Sequence, residues 1–339
     1  MAAPSSVSTP VPLPSIAFMA RGRPSPTLLD VAKGTYHACD LDEVTNKRMW
    51  VTPEGWTLCL DPATASTFLW NPQAPAQRIE LPPLPPDLPP CARSVLSGRP
   101  GAAAAGCVLL LVETRSTTIW FCRASGGAWS PWASHCYDIG SQECVDDPDA
   151  AVESTTTEKL RIADVAACGG KFYFTAGPCE VGTLEFCPDP VFSSVAVVDP
   201  ITPQAAAAAA AATGEGYSAT KHLLECGGEV YWVAVFRGGE RAETVLDAGV
   251  YRLDVPGQAW RRVGDLGGDR AFLACRSYFG AWCTATRFGL RPNCVYWINT
   301  DDGALHVFNV ENGAQEVEDV LQGLDEPPFA AFFLVPTDA

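Results

Sequence analysis

The sequence predicts an all-β protein assembled from short, repeated units. Helical periodicity is almost absent, because 29 glycines and 29 prolines among the 339 residues interrupt nearly every window before a helical apolar period develops. Short runs rich in Val, Thr, Tyr, Phe and Trp occur instead, bounded by Gly-Gly, Asp-Gly, Asn-Pro and Pro-Gly turns. These runs recur in a loose unit of roughly 50 to 65 residues, which indicates a repeat architecture.

Five units follow one another along the chain, each with three or four predicted strands. The turn Cys168–Gly170 of the third unit returns as Cys226–Gly228 in the fourth, and Asp302-Gly303 and Asn312-Gly313 supply the turns of the fifth. In order, the units read GWTLCLD with STFLWNP and QRIELPPL; GCVLLLVE with TTIWFCRASGG and AWSPWA; KLRIADVAACGGKFYFTA with TLEF and SSVAVVD; HLLECGGEVYWVAVF with GVYRLDVPGQ and AWRRVGDL; and NCVYWIN with ALHVFNVENGAQEVEDV.

Each unit is too small to bury its own apolar face, so neighbouring units must stack. Radial stacking of four-stranded sheets, as in a β-propeller, buries those faces between blades and leaves only short edges. Asn71-Pro72 and the proline-rich segment 82–90 then end strands at blade margins, since proline cannot donate to a strand ladder. The alternative architecture is a pair of β-sandwiches.

We expect about six blades, with five or seven as alternatives. The sixth blade is built from both ends of the chain, from SPTLLDVA and TYHACDL near the N-terminus and FAAFFLV near the C-terminus. The predicted organisation is a disordered N-terminal tail over residues 1–26 and a single propeller domain over 27–339. An alanine-rich, low-complexity loop at 204–216 interrupts this domain, and 146–158 is a solvated loop.

Charge and hydropathy limit the classes of partner. The chain carries 39 acidic and 23 basic residues, a net charge of −16, so most of its surface repels nucleic acid and anionic membranes. Its longest apolar run is too short to cross a bilayer, which requires about 20 residues. We expect a cytoplasmic or nuclear protein. The absence of Asp and Glu from the first 29 residues leaves mitochondrial or chloroplast import as the alternative.

Chemistry-bearing motifs are scarce. The 14 cysteines form no C-x-x-C pair and lie mostly among apolar neighbours, so we expect reduced, structural thiols rather than disulfides or zinc ligands. Asp146, Asp147 and Asp149 lack the spacing and glycine of a calcium loop, and the Gly-rich segment 264–270 is interpreted as a turn. The four histidines, in different units and without metal-ligand spacing, are His37, His135, His222 and His306.

The ten tryptophans support packing more than recognition. Most fall inside predicted strands, where large aromatic side chains fill the space between blades. Trp132, which follows Pro131 in a turn, is the best candidate for an exposed residue that anchors a partner.

The order and spacing of the quoted segments resemble the plant F-box-associated propellers of the KIB type, also catalogued as domain of unknown function 295. The resemblance runs from about Gly55 to Gly313 and more loosely to AFFLVP. It implies a propeller that binds a client protein, in some members a signalling kinase, while an N-terminal F-box docks onto a ubiquitin-ligase scaffold. No helical, Leu-rich F-box segment precedes the first unit here, so docking onto a ligase scaffold is not expected.

The sequence therefore predicts a non-catalytic, protein-binding propeller without cofactors, and it assigns no catalytic, metal or interaction residues. The alternative function is an enzyme, or a small-ligand or glycan-binding propeller, with a site in the central channel. Scattered acids supply that site in this second interpretation: Asp164, Asp254 and Asp265.

Overall fold

The chain folds into a six-bladed β-propeller, as predicted. The computed structural model describes residues 11–39, 41–89, 92–101, 106–145, 155–177, 179–197, 217–238, 244–275, 278–299 and 303–337. Within them the only helical segment is a single 3₁₀ turn, Thr286–Phe288. None of these residues forms a helix with the length and apolar character that a membrane span requires. The alanine-rich loop 204–216 lies outside the described residues.

The closing blade combines strands from both ends of the described chain. Its strands are β1 (Ser15–Ala20), β2 (Thr27–Asp30), β3 (Thr35–Ala38) and β28 (Pro328–Leu334), in the order β28-β1-β2-β3. The C-terminal strand β28 is innermost and pairs antiparallel with β1, with Ile16 opposite Phe333. The predicted closure by N- and C-terminal strands is therefore confirmed.

Strand β1 lies inside the predicted tail, residues 1–26, and shows that the propeller begins before residue 27. Ile16 and Ala17 are completely buried, and Phe18 is almost so. The flanking prolines delimit this strand rather than preclude it, because a blade strand needs only a few residues. Residues 1–10 of the predicted tail lie outside the described residues.

Blades 1 to 4 follow in chain order, and in each the first strand is innermost. Blade 1 contains β4 (Arg48–Val51), β5 (Thr57–Leu60), β6 (Thr67–Trp70) and β7 (Arg78–Leu81). Blade 2 contains β8 (Arg93–Leu96), β9 (Val108–Val112), β10 (Thr118–Ser125), β11 (Ala128–Trp129) and β12 (Ala133–Cys136). Blade 3 contains β15 (Val165–Cys168), β16 (Lys171–Gly177), β17 (Glu180–Phe186) and β18 (Pro190–Ala196). Blade 4 contains β19 (Tyr217–Cys226), β20 (Glu229–Gly238), β21 (Thr244–Asp254) and β22 (Ala259–Val263).

A separate antiparallel hairpin joins blades 2 and 3. It consists of β13 (Ser141–Val145) and β14 (Thr155–Lys159). The predicted solvated loop 146–158 therefore ends earlier than expected, because Thr155 already pairs with Val145. Threonine-rich segments favour strands when a partner strand is present, and composition alone did not supply that partner.

Blade 5 has one strand more than the four of a regular blade. Its strands are β23 (Arg270–Cys275), β24 (Tyr278–Thr284), β25 (Cys294–Asn299), β26 (Ala304–Asn309) and β27 (Gln315–Asp319), in the order β24-β23-β25-β26-β27. β23 pairs in parallel with β25, and β24 lies on its inner side. β24 also contacts β8, β15 and β19, which are inner strands of three other blades. It therefore occupies the propeller axis, where the alternative interpretation placed a site in a central channel.

The hydrophobic core lies between adjacent blades, as the stacking argument requires. One cluster joins Leu58 and Leu69 of blade 1 to Leu109 of blade 2, and another joins Leu110 of blade 2 to Phe174 of blade 3. The expected packing role of tryptophan is confirmed at seven positions that are at least nine-tenths buried: Trp50, Trp56, Trp70, Trp120, Trp232, Trp260 and Trp297.

Candidate binding site on the propeller axis

A pocket of about 250 Å³ opens at one end of the propeller axis. Every blade contributes to its lining, because the inner strands of the blades end around it. One representative from each blade, from blade 1 to blade 5 and then the closing blade, is Glu54, Ser97, Cys168, Glu225, Gly280 and Thr337.

Tight turns place these residues. β15 and β19 end in Cys-Gly-Gly, and both glycines of each turn have positive φ, from 58° at Gly169 to 82° at Gly228. Successive residues with positive φ are typical of the two-residue hairpin turns that match strand twist. The inner strand therefore reverses at once, and Cys168 and Glu225 lie at the pocket edge instead of in a long loop.

Glu54 is held between blades 1 and 2. It lies in the turn after β4, and its Oε2 accepts a hydrogen bond of 2.9 Å from the backbone N–H of Leu96 in β8. Next to it, Gly55 has a φ of 81°, and a Cβ atom there would lie 2.7 Å from the backbone oxygen of Pro336. Only glycine fits so close to the segment that follows β28, so the position of Glu54 is tied to the closure of the ring.

The pKa of Glu54 is raised to about 7; burial is the main cause and the nearby charge of Glu225 adds to the rise, while hydrogen bonds from Leu96 and Thr52 oppose it. Glu225 is half-buried, and its Oε1 accepts a hydrogen bond of 2.7 Å from the backbone N–H of Gly228. Burial and Glu225 also raise the pKa of the Cys168 thiol. The pocket therefore contains two carboxyl groups, and the charge of Glu225 disfavours ionisation of Glu54.

One cation lies at the rim of the same pocket. Arg99 is exposed, and its Nη2 donates a hydrogen bond of 2.9 Å to the backbone oxygen of Thr337. Apolar groups form much of the remaining wall, among them Leu96, Ala166 and Ala281, together with the half-buried Trp282. The arrangement suits a ligand with both an apolar and a cationic part.

The opposite end of the axis carries cations instead. Arg93, at the start of β8, donates to the backbone oxygen of Ala163 at 3.0 Å, and its Nη1 lies 3.9 Å from Oδ1 of Asp164. Burial raises the pKa of Asp164 to about 6, against the effect of Arg93 and Lys221. Burial also lowers the pKa of Lys221. The guanidinium of Arg93 lies 5.6 Å from the ring centre of Phe279 in β24, and Asp164 is buried beside it, so we call this the closed end of the axis.

His222 lies in β19 at this closed end and is 2% exposed. Neither ring nitrogen has a hydrogen-bond partner among the described residues. Burial, together with the positive charges of Arg93 and Arg237, lowers the pKa of His222 to about 3. The imidazole is therefore neutral at physiological pH and is not a base directed at a ligand.

The three acids of the alternative interpretation do not form one site. Asp164 lies at the closed end of the axis, whereas Asp254 is on an outer hairpin 3.6 Å from Arg261, and Asp265 accepts a bond from the backbone N–H of Gly267 in a turn. The sequence position of an acid does not show whether its side chain faces the axis, because inner and outer strands follow one another along the chain. This grouping was therefore wrong.

The remaining candidates are also dispersed. His37, His135 and His306 lie in the closing blade, blade 2 and blade 5 respectively. The ring centres of His306 and Trp297 are 4.4 Å apart. Trp132, the candidate anchor, is half-buried and donates its indole N–H to the backbone oxygen of Pro82 at 3.0 Å. Asp146, Asp147 and Asp149 lie outside the described residues. Segment 264–269 forms the turn that was predicted there, with Gly267 and Gly268 at positive φ, and Arg270 begins β23.

In the described part of the chain, no disulfide bond links the cysteines and no group of three or more His, Cys, Asp or Glu side chains is placed to hold a metal ion. Sequence reasoning did not identify Glu54 or Glu225. Both precede a turn glycine at the end of an inner strand, in Glu54-Gly55 and Glu225-Cys226-Gly227, and this shared position was the pattern that could have revealed them.

Fold and pocket together define a six-bladed propeller with a pocket on its axis. The family model described as KIB1-4 beta-propeller matches residues 28–311, and the chain belongs to this family. The family expected from the sequence is therefore confirmed. No curated protein matches the chain.

Similar solved structures are distant. A protein from Lactobacillus plantarum is 12% identical, with a TM-score of 0.42, and the match covers 95% of this chain and 99% of that one. Apo AztD from Citrobacter koseri is 10% identical, with a TM-score of 0.39 and coverage of 92% and 83%. A functionally unknown protein from Desulfotomaculum acetoxidans is 10% identical, with a TM-score of 0.37 and coverage of 95% and 86%. Likeness at this level carries no argument about function.

Proposed function

We propose that this propeller is a non-catalytic scaffold that binds a client protein through the face on which the axial pocket opens. The observation that carries the proposal is the convergence of all six blades on one pocket, which gives a rigid concave site surrounded by turns. Turns held by a rigid scaffold are a common location for recognition. The negative net charge of −16 disfavours nucleic acid as the partner.

The membership of the chain in the KIB1-4 family supports a client related to those of ubiquitin-ligase substrate receptors, including signalling kinases. A cytoplasmic or nuclear location is part of the same proposal. The pocket is smaller than the range of about 300–1,000 Å³ typical of sites for drug-sized ligands, and this favours a protruding group of a protein over a free metabolite.

A steric block of the pocket tests the face. Gly98 lines the pocket, has ordinary backbone angles and has open space around the position of a Cβ atom, so Gly98→Trp fills the opening without strain. Gly264→Trp is the matched control, because Gly264 is equally exposed and unhindered but does not line the pocket. Both variants and the wild-type chain are used as bait in lysate of the encoding organism.

Proteins captured by the wild type are identified and purified. The affinity of each purified protein for the wild type and for each variant is then measured by calorimetry. We expect the affinity of a true client to fall at least about tenfold in Gly98→Trp, as for loss of a central interface contact, and to stay unchanged in Gly264→Trp. A purified client that binds all three proteins equally would contradict the assigned face. If none of the purified candidates bound the wild-type chain, the scaffold function would be contradicted.

A further inference from the structure

We propose that the axial pocket receives one basic side chain, a lysine or an arginine, that projects from the bound partner between Glu54 and Glu225. This inference rests on the proposed function, since it names the chemistry by which the same pocket selects its client. The arguments are charge, shape and the way in which the two carboxylates are held.

Charge complementarity is the first argument. Glu54 and Glu225 both line the pocket, and Arg99 is the cation that lines it within the described residues. Arg99 lies at the exposed rim, where its guanidinium is bonded to the backbone oxygen of Thr337. A basic group that enters the pocket therefore meets two carboxyl groups and relieves their mutual repulsion.

The fixed positions of the carboxylates are the second argument. Glu54 is held by the backbone N–H of Leu96, and Glu225 is held by the backbone N–H of Gly228. A carboxylate that is already oriented loses little further side-chain freedom when a cation binds. Charge-assisted hydrogen bonds from an ammonium or guanidinium group are stronger than those between neutral groups.

Shape is the third argument. Lysine and arginine combine an apolar stem with a charged end, and such side chains bury the stem along apolar surface. Leu96, Ala166, Ala281 and Trp282 supply that surface in a cavity of about 250 Å³. This volume corresponds to about eight water molecules at roughly 30 Å³ each, which is a size suited to one long side chain.

The protonation of Glu54 makes the binding depend on pH. The charged and titratable groups near it are Arg99 at the rim, Cys107 before β9, Cys168 at the end of β15, and Glu225. The pKa of Glu54 is raised to about 7, so its carboxyl group is mostly neutral at pH 6 and mostly ionised at pH 8. A basic side chain should therefore bind more tightly at the higher pH and should displace a proton from Glu54.

Short peptides test this chemistry on the full chain without knowledge of the client. The probes are acetyl-Gly-Gly-Lys-Gly-Gly-amide and the same peptide with Arg, Ala or Glu at its centre. Binding is followed by amide NMR on the isotopically labelled protein, at pH 6 and pH 8. We expect the Lys and Arg peptides to shift the amide signals of Leu96 and Gly280, with affinity about fivefold or more higher at pH 8.

The double variant Glu54→Gln with Glu225→Gln keeps the shape of the pocket and removes both charges. We expect it to lose the preference for Lys and Arg over Ala and also the pH dependence. Glu180→Gln, which changes an exposed acid on β17 away from the pocket, is the matched control and should behave as the wild type. The pH dependence of the wild type gives a second readout that needs no substitution.

Equal shifts with the Lys, Ala and Glu peptides at pH 8, or unchanged binding by the double Gln variant, would overturn the basic-side-chain inference. The purified client separates this failure from failure of the proposed function. A client lost with Gly98→Trp but retained by the double Gln variant leaves the face correct and the charge chemistry wrong. A client insensitive to both changes refutes the face as well.

Discussion

The two ends of the propeller axis are built from the same inner strands but differ in charge, packing and access. At one end, Glu54 and Glu225 line an open pocket. At the other, Arg93 packs against Phe279 and faces Asp164, close to the buried His222. β24 contacts inner strands of three other blades and separates the two ends. An axis that looks symmetric in topology therefore presents an open pocket at one end and a buried, charged cluster at the other.

The two ends also respond to pH in opposite directions. The pKa of His222 is lowered to about 3 from 6.5, so the unfolded chain binds more protons and stability is lost as pH falls below about 6.5. The pKa of Glu54 is raised to about 7 from 4.5, so the folded chain binds more protons and stability is lost as pH rises from about 4.5 to 7. Substitutions that remove each group can test this contrast.

The largest expected effect is at the closed end. His222→Leu should remove the acid sensitivity due to the imidazole, which amounts to at most about 5 kcal/mol of unfolding free energy between pH 6.5 and 3, at about 1.4 kcal/mol per pKa unit. Urea unfolding from pH 7 down to pH 4 measures it, and the variant should lose stability less steeply than the wild type. His37→Gln, at an exposed position, is the control. Parallel curves for wild type and His222→Leu would contradict a buried neutral imidazole.

A smaller, opposite effect is expected at the open end. Glu54→Gln mimics the protonated carboxyl group, so it should stabilise the fold at pH 8 by about 1 to 3 kcal/mol and have little effect near pH 4.5. The range allows for screening by solvent, because Glu54 is partly exposed. Urea unfolding at the two pH values measures the change. If Glu54→Gln and the control Glu180→Gln gave the same stability at pH 8, the raised pKa of Glu54 would be wrong.

The smallest effect concerns the strand that divides the two ends. A Cβ atom on Gly280 in β24 would lie 3.2 Å from the side chain of Leu224 and 3.3 Å from the backbone oxygen of Leu223. Gly280→Ala should therefore destabilise the fold by about 1 kcal/mol, at every pH, through overpacking. Thermal unfolding measures it, with Gly98→Ala as the control because Gly98 has open space around it. Identical melting temperatures would show that β24 is loosely packed on the axis.

Local patterns predicted the repeating part of the fold well. Strands β5, β6 and β7 lie within GWTLCLD, STFLWNP and QRIELPPL, since a short apolar run bounded by turn glycines or prolines indicates a strand without distant information. The extra strand β24 was not predicted, because nothing in FGAWCT distinguishes a strand on the axis from any other apolar strand. β1 was missed because short strands among prolines look like a tail.

The candidate site was harder to predict for a physical reason. Its residues come from strands and turns of all six blades, spread over the chain from Glu54 to Thr337, and none of these segments is a motif by itself. Asp164, a candidate from the sequence, does lie on the axis. The sequence could not indicate that the carboxylates of the open pocket, Glu54 and Glu225, lie at the opposite end. That distinction depends on which strand is innermost and in which direction it runs, both of which are properties of the closed ring.

Closure by β28 has a consequence for how the protein acquires its site during synthesis. Pro336 touches Gly55, and Thr337 lines the pocket, so the rim joins residues that are translated at widely separated times. Until β28 and the segment after it have left the ribosome, the nascent chain cannot form the complete rim of the pocket. Contacts so distant in sequence also slow folding.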